Sequence, residues 1–188
     1  MRYFFYYSFL MQTSFLWGVN TFAIHKAQKE KSVLMEITSL YQQKNYQACF
    51  EKFKNVEKQY SASLQITYYG GLCALYLPSN TLTEARQNTQ KGLSLLNKVK
   101  KKIWPFRTTR LYRKWLVNLL HYSGMGYFFL GTYVHAISDL TKATKLDDTK
   151  ANIYFNLGMV YETIHNFVEA NRAYARYYKL ITAEEEEF

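Results

Sequence analysis

The chain has 188 residues, of which 48 % are apolar and 18 % aromatic, with only 2 prolines. That composition excludes a disordered segment, because enough apolar surface is present to offset the entropy of ordering the chain, and the length suffices for one domain with a real core. Net charge is +10 even though four of the 14 acidic residues are clustered at 184–187, so the body of the chain suits an anionic surface or an acidic partner.

Met1 and Arg2 precede an uncharged run from Tyr3 to Ile24 that is rich in Phe, Tyr and Leu and closes with Thr21-Phe22-Ala23. A basic start, an apolar centre and small residues three apart have the form of an export signal cleaved after Ala23. A retained anchor is the rival reading, since 22 uncharged residues just span a bilayer. Both readings make the chain exported, periplasmic or membrane-associated, with 1–23 as the signal peptide or anchor. Residues 24–32 read as a charged linker, 33–181 as the folded domain and 182–188 as an acidic tail. The two cysteines, Cys49 and Cys73, permit a disulfide. Each also falls where stacked helices want a small packing residue, which favours two buried free thiols.

From residue 33 the apolar residues recur at helical spacing. Leu34, Ile37, Leu40 and Tyr41 form one stripe, and Asn45-Tyr46 marks a turn. Cys49, Phe53, Val56 and Tyr60 point inward from a second helix. A third begins at Leu64 and ends at Pro78-Ser79-Asn80, since proline cannot continue a helix and Ser or Asn favours the next start. The fourth opens near Thr83 and carries Thr89, Gly92 and Leu96 on its inner side. Residues 98–114 then break the pattern with eight Lys or Arg, no acid, and Trp104-Pro105-Phe106 at the centre. A long helix follows over 111–129, and three more over 135–146, 151–163 and 167–181.

The last four helices repeat. Gly124, Tyr127, Tyr133, Ala136, Leu140, Ala143 and Leu146 are each matched 34 residues later by Gly158, Tyr161, Phe167, Ala170, Tyr174, Tyr177 and Leu180. A fixed period of this length marks stacked helix–turn–helix units, none of which can bury its own apolar face alone. With Tyr154, Leu157-Gly158, Tyr161, Asn166-Phe167, Glu169-Ala170 and Tyr174, the chain resembles the tetratricopeptide repeat family. It departs from that pattern at Leu120 and Ser123, and at Asp148 where the family has a closing proline. The resemblance implies an all-α fold, a short right-handed superhelix (α-solenoid) of about four helical hairpins. It also implies a non-catalytic protein–protein interaction adaptor; with the export signal, the expected role is to assemble or support a cell-envelope complex, and a regulatory subunit attached to an enzyme is an alternative.

Mapped by the motif, the concave face of such a superhelix comprises Tyr68, Leu72, Tyr76, Asn118, His121, Met125, Phe128, Phe129, Asn152, Phe155, Met159 and Glu162. This aromatic, Met-rich lining suits an apolar or helical partner segment. The insertion offers an anion-binding set of Lys98, Lys100, Lys101, Lys102, Trp104, Arg107, Arg110, Arg113 and Lys114. Cations interleaved with aromatics suit an anionic membrane surface or nucleic acid, and an export signal argues against the latter. Phe167, Tyr174, Tyr177 and Tyr178 form an expected C-terminal contact face, for a partner or a second copy of the chain. His25, His121, His135 and His165 have no ligand spacing, and Gly124 and Gly126 read as packing residues rather than a phosphate loop. No cofactor, metal or catalytic group is expected.

Overall fold

A computed structural model describes the backbone of residues 3–186 and the side chains of 23–183. The apolar run read as signal or anchor, and the acidic side chains at 184–187, lie outside the described side chains. Among the described residues there are eight α-helices and no strand: α1 (Tyr3–Gln42), α2 (Tyr46–Val56), α3 (Leu64–Leu75), α4 (Leu82–Ile103), α5 (Arg110–Phe129), α6 (Tyr133–Leu146), α7 (Ala151–Thr163) and α8 (Phe167–Glu186). Residues 24–32, expected as a linker, continue α1 instead. The expected break at 98–114 is also shorter. Helix α4 runs on to Ile103, and only a 3-10 turn, Trp104–Phe106, and three further residues separate it from α5.

The helices pair in sequence, α1 with α2, α3 with α4, α5 with α6 and α7 with α8, and each pair stacks on the next. Glycines allow the closest crossings. A Cβ on Gly70 would lie 2.4 Å from the Phe53 ring, and one on Gly92 would lie 2.8 Å from the Gly71 carbonyl. Gly124 and Gly126 meet Leu140 and Leu93 at 2.8 Å in the same sense, so both are packing residues. Three core clusters result, centred on Ile37 and Phe53, on Leu72 and Leu96, and on Leu140 and Val160. Packing of this kind also explains one departure from the repeat. Where the last hairpin buries Leu157 and Ala173, the preceding one has Ser123, whose hydroxyl donates to Asp139 Oδ2 at 2.7 Å.

Cys49 of α2 and Cys73 of α3 are joined in a disulfide, with Cα atoms 6.1 Å apart and no exposure of either residue. The reading as two free thiols is therefore corrected. Both cysteines do sit in the core, but facing one another across adjacent helices. Helix α1 packs along α3 and α5 touches α7, while α3 and α5 meet through Leu75 and Gly126 as well as through aromatic side chains.

Candidate functional site

Helices α1, α2, α3 and α5 bring a set of rings together. Tyr41 meets Tyr69 at 5.6 Å between centroids, Tyr46 meets Tyr76 at 5.4 Å, Tyr68 meets Trp115 at 5.3 Å, and Tyr76 meets Phe129 at 6.0 Å. Most of these pairs are edge-on or tilted, as the ring quadrupoles prefer. Burial, and then the neighbouring phenol of Tyr122, push the hydroxyls of Tyr41, Tyr68 and Tyr76 well above the ordinary tyrosine range. These hydroxyls stay neutral and act only as hydrogen-bonding groups. At one end of the set a cleft of about 470 Å³ opens between α4 and the α5–α6 turn, lined by Tyr76, Leu82, Arg86, Phe128, Phe129 and Tyr133 among others.

Several expected concave-face residues lie elsewhere. Tyr68, Leu72, His121 and Met125 are buried, Leu72 to 1 % exposure, so they hold the hairpins together and present nothing to a partner. His121 contacts α7, with its Nε2 2.6 Å from Asn156 Nδ2. Burial lowers its pKa to about 4, so the ring is neutral and accepts the Asn156 amide proton. Asn118, Phe129, Asn152, Phe155 and Glu162 are exposed, and Tyr76, Phe128 and Met159 are half-buried. Tyr122 was missed, although Trp115, Asn118, Tyr122, Met125 and Phe129 follow the 3–4 spacing of one helix face. His121, one residue away, was read in its place.

Part of the expected C-terminal face merges with this surface. Phe155 of α7 packs on Tyr174 at 5.8 Å and on Tyr177 at 5.3 Å, and Tyr174 donates its hydroxyl to Glu162 Oε2 at 2.7 Å. Burial and the Glu162 carboxylate raise the Tyr174 hydroxyl to about 12. Tyr174 and Tyr177 therefore have cover within their own hairpin, while Phe167 and Tyr178 are exposed. Of the cations, Arg113 donates from Nη2 to the Leu146 carbonyl at the end of α6 at 2.7 Å, Lys98 pairs with Glu57, and Lys102 donates to the Ser61 carbonyl. Those three brace the fold. Trp104 and Phe106 are exposed.

The hairpin turns decide the architecture. Lys44, Gly131 and His165 all have positive φ, at 57°, 74° and 59°. Each donates its N–H three residues back, to Tyr41, Phe128 and Glu162, and the following N–H reaches five residues back, to Leu40, Tyr127 and Tyr161. That pair of bonds is the Schellman stop, which satisfies orphan carbonyls at a helix end. Its recurrence in three hairpins, two of them 34 residues apart, shows one structural unit repeated. The fold is a solenoid of tetratricopeptide-type hairpins. No protein-family model matches the chain, and no curated protein does. Solved structures similar in outline include TTC0263, a thermophilic TPR protein of Thermus thermophilus, at 19 % identity and TM-score 0.46, covering 80 % of this chain and 91 % of that one. Others are pilF of Pseudomonas aeruginosa, at 10 % and 0.43, covering 82 % and 78 %, and MamA 41-end from Desulfovibrio magneticus RS-1, at 13 % and 0.37, covering 81 % and 95 %. At these values the fold assignment rests on the hairpins themselves.

Proposed function

We propose that the chain is a non-catalytic adaptor that takes an apolar or helical segment of a partner protein along Tyr76, Phe128 and Phe129. The observation behind this reading is the cleft that opens where the ring set ends, beside the 43 % exposed Phe129. Half-buried aromatics beside an open cleft offer a large apolar contact at little cost in side-chain entropy. The compartment belongs to the same proposal: an oxidising one, outside the cytoplasm, in support of an envelope complex. The buried Cys49–Cys73 bond supports it, because structural disulfides persist where thiols are not kept reduced. Among the described residues no helix is long and apolar enough to cross a membrane.

A photo-crosslinking residue at Phe129 tests the reading in cells. Capture of a discrete partner at Phe129, absent with the same probe at the exposed Gln90 on α4 and weakened by Phe128→Ala, is the expected result. Equal capture at both positions would show that this face is not the site.

A further inference from the structure

The corner between α4 and α5 has no role in that reading, and its composition is unusual. Trp104, Phe106 and Leu111 lie there within eight residues of one another and are 57 %, 58 % and 65 % exposed. They are held in place and not loosely splayed. The 3-10 turn closes with Arg107 N–H bonded to the Trp104 carbonyl, and Thr109 bonds the Phe106 carbonyl and caps α5 through Tyr112 N–H. The Trp104 ring is buttressed edge-on by Tyr112 at 6.3 Å and covered by the Arg107 guanidinium at 5.3 Å. Around them, Lys100, Lys101, Arg107, Arg110 and Lys114 take no part in any ion pair among the described residues. No acidic residue falls between 98 and 114. Asn97, Lys100, Lys101 and Trp104 line a shallow depression, so amide, ammonium and indole groups converge at the foot of the apolar tip.

We propose that this corner docks on an anionic membrane surface, with Trp104, Phe106 and Leu111 entering the interface and the unpaired cations meeting lipid phosphates. Charge complementarity selects an anionic occupant. The apolar tip selects lipid over nucleic acid, since aromatic rings and an aliphatic side chain ringed by cations fit the headgroup–acyl boundary, and Leu111 has no ring to stack on a base. Arg107 over Trp104 carries its charge down to the level of the indole, where headgroup phosphates lie. The site lies away from the Phe129 cleft, so an adaptor seated this way keeps its groove free for a protein partner.

The test uses the full chain with Trp17→Phe and Trp115→Phe, leaving Trp104 as the one indole. Vesicles of phosphatidylcholine, with and without phosphatidylglycerol, read the dependence on lipid charge, and Trp104 emission together with the Lys100/Lys101 variant separates this corner from the apolar run 3–24 and its flanking Arg2, Lys26 and Lys29. The expected result is a partition at least about tenfold stronger onto the anionic vesicles, weakened by salt, with Trp104 emission quenched by brominated lipid. Each cation near such a surface is worth roughly a fivefold change in partition, so Lys100→Gln/Lys101→Gln should remove most of the preference. Equal partition onto both vesicles, or an unquenched Trp104, would overturn the proposal. So would binding of an RNA oligonucleotide in place of the anionic vesicles.

Discussion

Breaking the bond between Cys49 and Cys73 should destabilise the protein by a calculable amount. The two residues are 24 apart in sequence, and the link removes loop-closure freedom from the unfolded chain. For a loop of that size the chain-entropy relation gives about 3.5 kcal/mol at 25 °C. Both sulfurs are fully buried, so Cys49→Ala/Cys73→Ala also loses packing, whereas reduction of the wild-type protein keeps the sulfur atoms. Comparing the two separates the link from the cavity. Urea unfolding followed by far-UV circular dichroism is a suitable assay. With a slope of about 2 kcal/mol per molar urea, reduction should lower the midpoint by roughly 1.7 M. The double alanine variant should fall further, by about 1 kcal/mol for the two missing sulfur atoms. A midpoint that does not move on reduction, or two thiols titratable in the unreduced, denatured protein, would refute the reasoning and return the cysteines to plain packing residues.

Four other outcomes are expected, three from side-chain contacts and one from the N-terminal sequence. His121 has a folded pKa of about 4 against an ordinary 6.5, so the unfolded chain binds the extra proton. Its contribution is complete above pH 6.5 and is lost as pH falls toward 4, by roughly 3 kcal/mol in all, and His121→Gln should flatten that limb in a pH series of urea midpoints. Gly158→Ala would place a Cβ 2.6 Å from the Tyr174 ring and should cost about 1–3 kcal/mol, while Gly158→Leu should prevent folding, both readable by thermal melts. With the photo-crosslinking residue moved to Tyr133 on the same cleft, Phe129→Ala should weaken partner capture with a melting temperature close to wild type, and an unfolded variant or unchanged capture would count against the groove. Mass spectrometry of the native protein should find Ile24 first, a loss of roughly 2–3 kDa; an intact Met1 in a soluble cytoplasmic fraction would contradict both the signal and the anchor reading.

Much of the fold was legible because the repeat constrains packing. Gly124 and Gly158 sit at equivalent crossings, and Gly131 and His165 at equivalent turns, so the period carried the helices with it. The reach of α4 was hidden by Lys100, Lys101 and Lys102, which read as a break. In the structure they form the last turn of a helix, where cations complement the carbonyl end of the dipole. The groove was half legible for a geometric reason. Neighbouring helical positions point about 100° apart, so the one-residue exchange put the buried His121 on the face where the half-buried Tyr122 stands. Phe155 was placed on one surface and Tyr177 on another because pattern alone does not show which ring from α8 leans across to α7. The disulfide escaped because a small residue at a helix crossing looks the same in sequence whether it carries a thiol or half a cystine.

The ring contacts between α3 and α5 have a mechanical consequence. They lie beside close apolar packing of the same hairpins, since Gly126 of α5 meets Leu75 of α3 and Leu93 of α4 while Tyr68 and Tyr76 bridge to Trp115, Tyr122 and Phe129. A close-packed joint of this kind resists deformation and transmits strain. The second and third hairpins are therefore coupled stiffly, through the glycine crossing and the rings together. That joint sets the spacing of Tyr76 and Phe129, whose ring centroids are 6.0 Å apart. A ligand that pushes those two rings apart has to work against the packing, so the cleft favours a partner that lies along the rings over one that wedges between them.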